Sequence, residues 1–352
     1  MSAHTRDVKP QEIVESDAFA AEAESHFSKG QMEEAEVAIR KAIRAALNSP
    51  VLELQRNWQH YCILGRIWSV QKRLEEALGA FRHAVQLAPP NTAPPHWLLG
   101  LCLLKKGQLA EAETELRAAI RLNPKASAFH TSLGAVFIQQ CFYDDAHASL
   151  HQAIRLDRKN IEPHILLAEL LVLQGDPRGA EKSLAKAHAL APQSPRVLWA
   201  LAKLFEEQGK TDKAVEYTRK ILALDPTNTG VHIRISTQYK KAGRLGEAEE
   251  ALRAALLVQP TAAIFQNLSL ILEARSRSAD ALAAMSEACR LDPGNRAYRA
   301  RLADLSAGKT AGAGVPGPSE KGPEPAARPE SPPREARLID KLRAFRLKKK
   351  IH

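Results

Sequence analysis

The chain predicts an all-α fold of the solenoid kind, and three observations predict it. Alanine recurs at Ala77, Ala112, Ala146, Ala180, Ala214, Ala248 and Ala281, never more than one residue from a 34-residue step. A small residue fills the eighth place of successive copies (Gly65, Gly100, Gly134, Ala168, Ala202), and a proline closes six of them (Pro89, Pro124, Pro192, Pro226, Pro260, Pro293). Within each copy the apolar residues fall at helical rather than strand spacing, so the repeating unit is a pair of helices.

The stretch from Leu64 to Pro90 shows how one unit works. Leu64 and Trp68, then Leu74, Ala77, Phe81 and Ala84, lie at helical spacing on either side of a Gln71-Lys72-Arg73 turn. Small residues at the eighth and twentieth places, and again near the twenty-seventh (Ala84, Ala119, Ala153, Ala187, Ala255, Ala288), let two helix backbones approach closely. The fifteenth place carries a turn glycine at Gly107, Gly175, Gly209 and Gly243. The closing proline cannot continue the second helix and biases the residue before it towards extended backbone, so the chain turns there into the next copy. One pair cannot bury its own apolar face. Stacked pairs can, which makes a quasi-one-dimensional array rather than a closed globule.

Eight copies begin near Ser16, Trp58, Ala93, Ser127, Ile161, Pro195, Thr229 and Ala262. Residues 1–15 precede the array and are expected to be disordered. The first copy is degenerate: Glu22 stands where later copies carry leucine, and about eight extra residues, Leu47 to Leu54, separate it from the second. That suits a terminal cap whose outer side meets water. The fourth copy has Arg158 for the closing proline and Cys141 for the turn glycine, and the sixth has Leu222 for a small residue. These departures bear on local twist and leave the fold class unchanged. Arg296 to Leu305 reads as the first helix of an unfinished ninth pair, with Arg296, Arg299, Arg301 and Asp304 solvating the open end. The array is therefore expected over residues 16–306. Residues 307–335 form a Pro/Gly-rich stretch that cannot build a core and is expected to be a disordered linker. In residues 336–352, Leu338, Ile339, Leu342 and Phe345 occupy one side of a short basic amphipathic helix that runs into Lys348, Lys349 and Lys350.

The 352 residues are 45% hydrophobic, ample for a folded body, and carry a net charge of +10. From residue 307 onward there are 11 Lys and Arg against 5 Asp and Glu, so the tail holds +6 and the body only +4. A body so balanced excludes nucleic-acid binding by charge. The N-terminus lacks the apolar core of a signal peptide, and the longest apolar run, Ile165 to Leu173, is interrupted by Glu169 and too short to cross a bilayer. Cys62, Cys102, Cys141 and Cys289 are isolated on different copies, without a CxxC pair, and read as reduced thiols. A cytoplasmic chain is expected, peripheral to the inner face of a membrane where the basic tail engages one.

Four histidines, His96, His130, His164 and His232, share the fourth place of their copies and invite a metal reading. Equivalent residues of packed helix pairs lie on the order of 10 Å apart, whereas nitrogens ligating one zinc ion lie about 2.0–2.1 Å from it; packing is the better account. His147 and His151 form an i,i+4 pair without the intervening glutamate of a zinc protease or a third ligand nearby in sequence. Gly308-Lys309-Thr310 lacks the earlier glycine, the strand and the helix that a phosphate loop needs. No Gly-rich strand-to-helix turn presents a nucleophile. Acidic runs such as RLEEA, QLAEAE and RLGEAEE read as solvated faces. No enzyme, metal or cofactor is expected.

These places together make the chain resemble the tetratricopeptide repeat family from Ser16 to about Leu305. The resemblance implies a right-handed superhelix whose concave lining comes from the second, fifth, sixth, ninth, twelfth and thirteenth residues of each first helix, and whose usual task is to hold a peptide or helix of a partner. On this chain those places give an apolar centre, Trp97, Leu98, Leu101, Leu104, Ile138, Ile165, Leu166, Val172, Leu173 and Trp199. A mixed, charged stretch follows: Lys203, Glu206, Glu207, Arg234, Lys240 and Lys241. Two specialisations of the family are not matched. No three copies supply the lysines, asparagines and arginine of the dicarboxylate clamp, and the sixth place (Ile63, Leu98, Ser132, Leu166, Ala200, Arg234, Asn267) is not the asparagine ladder of O-linked GlcNAc transferase. The expectation is a non-enzymatic scaffold that binds a peptide or helix of a protein partner in the concave groove. The alternative is a regulatory or docking subunit of a glycan or envelope assembly or a transferase complex, held at an anionic membrane surface or an acidic protein by its tail.

Overall fold

In the computed structural model, residues 11–47 and 57–308 are described; they form seventeen α-helices and, among the described residues, no strand. The helices run in antiparallel pairs. The first four pairs are α1 (Gln11–Ser28) with α2 (Met32–Leu47), α3 (Asn57–Val70) with α4 (Leu74–Leu87), α5 (Ala93–Lys106) with α6 (Leu109–Leu122), and α7 (Ser127–Gln139) with α8 (Tyr143–Leu156). The next four are α9 (Glu162–Leu173) with α10 (Pro177–Leu190), α11 (Pro195–Glu207) with α12 (Thr211–Leu224), α13 (Thr229–Lys241) with α14 (Leu245–Val258), and α15 (Ala262–Ala274) with α16 (Ser278–Leu291). A single helix, α17 (Arg296–Ser306), follows.

The sequence places translate directly into packing. All seven ladder alanines are 0% exposed, as is Ala35, their counterpart in the first pair. At the eighth place a side chain of the second helix lies against the first helix's backbone: a Cβ built on Gly65, Gly100 or Gly134 would stand 2.6–2.7 Å from the side chain of Phe81, Leu116 or Leu150. Each closing proline sits two residues beyond the last helical residue, and α8 stops at the same place without one, at Leu156 before Arg158. The turn inside every pair passes through left-handed backbone at Gly30, Lys72, Gly107, Cys141, Gly175, Gly209, Gly243 and Ser276. Cys141 thus adopts the glycine conformation (φ 60°) rather than altering the turn.

Each second helix packs on the first helix of the following pair, and first helices also pack on each other: α1 on α3, α3 on α5, α5 on α7, α7 on α9, and α13 on α15. This is the neighbour pattern of an α-solenoid, with its core distributed as successive interhelical layers. By its contacts the chain divides after Ala303. Met1–Ala303 form one unit and Asp304–His352 a second, of which the end of α17 and the turn at Gly308 are described.

Three expectations change. The boundary at residue 16 falls inside α1, which begins at Gln11, and Ser16 itself is buried with its hydroxyl donating to the Ala42 carbonyl (3.0 Å). The bulky residue at the late alanine place of the sixth copy is Ile221, not Leu222. The backbone N–H that caps the second helix donates to Ala119, Ala153, Ala187 and Ala255 elsewhere, and here Asp225 N–H donates to Ile221 at 3.4 Å. Lastly, Glu249 of the RLGEAEE run is not solvated: it is 1% exposed and held by Arg253, Arg275 and Arg277. The expected linker from residue 309 on and the basic segment with Leu338, Leu342, Phe345, Lys348, Lys349 and Lys350 lie outside the described residues, as do residues 1–10 and most of the insertion after Leu47.

Candidate protein-binding face

The first helices of the middle pairs build an apolar cleft. First-helix packing thins between α9 and α11, and a cavity of about 310 Å³ lies there, floored by Ile138, Ile165, Val172 and Leu204. Leu173 stands at its edge with 56% of its surface exposed. Glu169, Lys203 and Glu207 form the rim. Lys203 and Glu207 face each other loosely at 3.9 Å, while Glu169 takes part in no hydrogen bond or ion pair among the described residues. About two turns back along α9, Glu162 is paired with Arg196. Burial pushes the Glu162 carboxyl above its ordinary value and nearby Glu169 adds to this, against the opposing pull of Arg196.

A second, wider cavity of about 650 Å³ lies one pair further, between α11 and α13. Ile221, standing where other copies have alanine, packs with Leu198 of α11 and Val231 of α13 beside the cavity. Trp199 forms one wall, and the Arg234 guanidinium lies over its ring at 4.9 Å. Arg234 and Lys241 both reach Glu206, at 2.9 and 2.5 Å. Burial alone would raise the Glu206 carboxyl, but Lys241 and Arg234 outweigh it and hold it below the ordinary value.

Of the groove residues expected from sequence, Ile138, Ile165, Val172, Leu173, Lys203 and Glu207 meet at the first cavity, and Trp199, Glu206, Arg234 and Lys241 meet at the second. The four on α5 lie apart from both. Trp97 is an anchor between pairs: its indole N–H donates to Ser132 Oγ (2.9 Å) and its ring packs on Phe129 at 5.6 Å. Leu98 and Leu104 pack against the core as half-buried residues, Leu98 also edging a hollow shared with α1 and α3, and Leu101 is half-buried. Glu169 was missed as a rim residue, although it occupies the ninth place of its copy, one of the six that line the face. Ile221 belongs to a second helix, and no reading of first helices reaches it.

The position-four histidines have local occupations. The ring Nε2 of His130 and of His232 lies 3.0 Å from the carbonyl of the preceding closing proline, an acceptor only, so that nitrogen carries the proton. His96 pairs with Glu115 at 2.7 Å, and His164 is buried. His147 and His151 have ring centroids 4.3 Å apart on α8, and no group of three potential metal ligands occurs among the described residues. Burial pushes the Cys62 thiol up to about 12, so it is unreactive at neutral pH. No described helix is long and apolar enough to cross a membrane.

Paired helices with a close small-residue crossing, a left-handed turn and successive stacking define a tetratricopeptide-type repeat protein. The chain belongs to the tetratricopeptide repeat family: the model of the cilia and flagella-associated protein 70 C-terminal domain matches residues 3–230, and a general tetratricopeptide repeat model matches residues 205–269. No curated protein matches the chain by sequence. Among solved structures, yeast Tom70 is similar with a TM-score of 0.60 and 17% identity, over 88% of this chain and 66% of that one. A tetratricopeptide repeat protein from Parabacteroides merdae ATCC 43184 is similar with a TM-score of 0.45 and 14% identity, over 83% of this chain and 99% of that one. At these identities the likeness to solved structures is one of fold. Arrays of this family serve protein–protein interaction, which is the class of function the fold assigns.

Proposed function

We propose that this array is a non-enzymatic scaffold that holds an apolar segment of a partner protein on its first-helix face, with the cleft between α9 and α11 as the principal contact. The observation that carries this reading is Leu173, an aliphatic side chain 56% exposed at the mouth of an apolar cavity. A cavity of about 310 Å³ is at the lower end of small-molecule sites, which run roughly 300–1,000 Å³, and suits one or two inserted side chains better than a cofactor. Trp97 supports the face from within instead of anchoring a ligand. The matched family is named for cilia and flagella, so a ciliary or flagellar protein is the first partner class to test. Peptides selected from a random display library on the full chain provide the experiment. Leu173→Asp, at an exposed site, should weaken them by about tenfold or more, as expected for a central apolar anchor, with helicity unchanged. Selected peptides whose affinity ignores Leu173 would refute the assignment of the cleft.

A further inference from the structure

The cleft between α9 and α11 also carries information about the charge of what fills it. Its floor is apolar, and its rim holds two carboxylates, Glu169 and Glu207, against one ammonium, Lys203. Lys203 is already turned towards Glu207 at 3.9 Å. Glu169 is exposed beside Val172 and Leu173 and takes part in no ion pair or hydrogen bond among the described residues, whereas Glu206 on the same face is taken by Arg234 and Lys241, and Glu162 by Arg196. A carboxylate left free at the mouth of an apolar well is complementary to a cation set close to an apolar anchor. We infer that the partner segment is a basic amphipathic one: an aliphatic or aromatic side chain enters the α9–α11 cleft, and a Lys or Arg within about one helical turn of it pairs with Glu169, with Glu207 as the second acidic contact.

This inference rests on the groove reading above and adds the partner's chemistry to it. The global field of the protein works against it. The net charge is +10, and residues 1–306 alone carry +4, so non-specific attraction favours an acidic peptide and a preference for a basic one must be local. The test uses the full chain and three synthetic peptides with Leu, Leu and Phe at i, i+4 and i+7 and with all polar positions Lys, Glu or Gln. The Lys peptide should bind at least about tenfold tighter than the Glu peptide at low salt, and the preference should shrink as salt screens the rim. Glu169→Gln with Glu207→Gln should abolish the preference, and Glu169→Lys should reverse it. Equal binding of Lys and Glu peptides, or a preference that survives the double substitution, overturns the basic-segment inference and leaves the groove reading standing. Failure of all three peptides to bind overturns both.

Discussion

Left-handed backbone recurs once in every helix pair, and at Lys72, Cys141 and Ser276 it is held by a residue with a side chain. The conformation costs such a residue roughly 1–2 kcal/mol, while glycine adopts it freely but gives up roughly 0.5–1 kcal/mol more chain entropy on folding. Cys141 is exposed, so its replacement sacrifices little packing. Cys141→Gly should therefore stabilise the protein by about 0.5–1 kcal/mol, read as a higher urea midpoint; a fall in the midpoint would mean that the side chain contributes more than its exposure indicates. At this scale the sequence was legible wherever geometry admits one kind of residue. Ala77 to Ala281 could be read because a larger side chain would push the paired helices apart, and Gly134 because Leu150 leaves no room for a Cβ. Glu249 was not legible. Its neighbours along α14 make the same acidic pattern as a solvated face, and only Arg275 and Arg277, which meet it at the α15–α16 turn, make it a buried acceptor.

Helix ends in this chain are set partly by caps and partly by stacking. Among the described residues, side-chain N-caps occur at Asp176, Asn228, Thr261 and Asn295, which accept from the backbone N–H of Gly179, Val231, Ile264 and Tyr298. Gln108, Phe142, Lys210 and Arg244 precede helices of equal length without such a cap. Asp176→Ala should cost about 1 kcal/mol, with amide exchange rising first in the opening turn of α10. Equal protection in the variant would show that packing between pairs alone fixes that end. Helix number and limits were readable because the 34-residue step, the turn residue and the proline agree with one another. The spacing between helices was not. The wider cavity is lined by Ile221 of α12 as well as by Trp199 and Arg234, and a second-helix residue in the alanine place is not among the face positions. The α9–α11 cleft has no comparable single-residue mark, and the face positions taken from the family could not separate Trp97, used within the array, from Val172, which lines the cleft.

An array whose stability is a sum over pairs and their interfaces responds to pH pair by pair. Three histidines have their charged form disfavoured in the folded chain. Burial lowers His60, partly offset by Asp17; burial lowers His151, aided by His147, Arg155 and Lys186; and burial lowers His164, aided by Lys186 and His151. Each is a base with a folded value below its ordinary 6.5, so each favours the folded state fully above that value and loses its contribution as pH falls through the lowered one. Two carboxylates held low act only below their ordinary 4.5: at Glu36 burial is outweighed by Trp68, Arg40 and Arg73, and at Glu206 by Lys241 and Arg234. Acidification from pH 7.5 to about 5 should therefore lower the thermal midpoint before either carboxylate titrates. The loss should be uneven. His60 lies on α3, His151 on α8 and His164 on α9, whereas none of the three lies in α11 to α16. Hydrogen exchange at pH 5.5 should accelerate first in α3, α8 and α9 while α13 to α16 keep their protection, and His164→Gln should flatten the response in α8 and α9. A midpoint that does not change between pH 7.5 and 5.5, or exchange that rises uniformly along the array, would show that these histidines gain protons in the folded chain as readily as in the unfolded one.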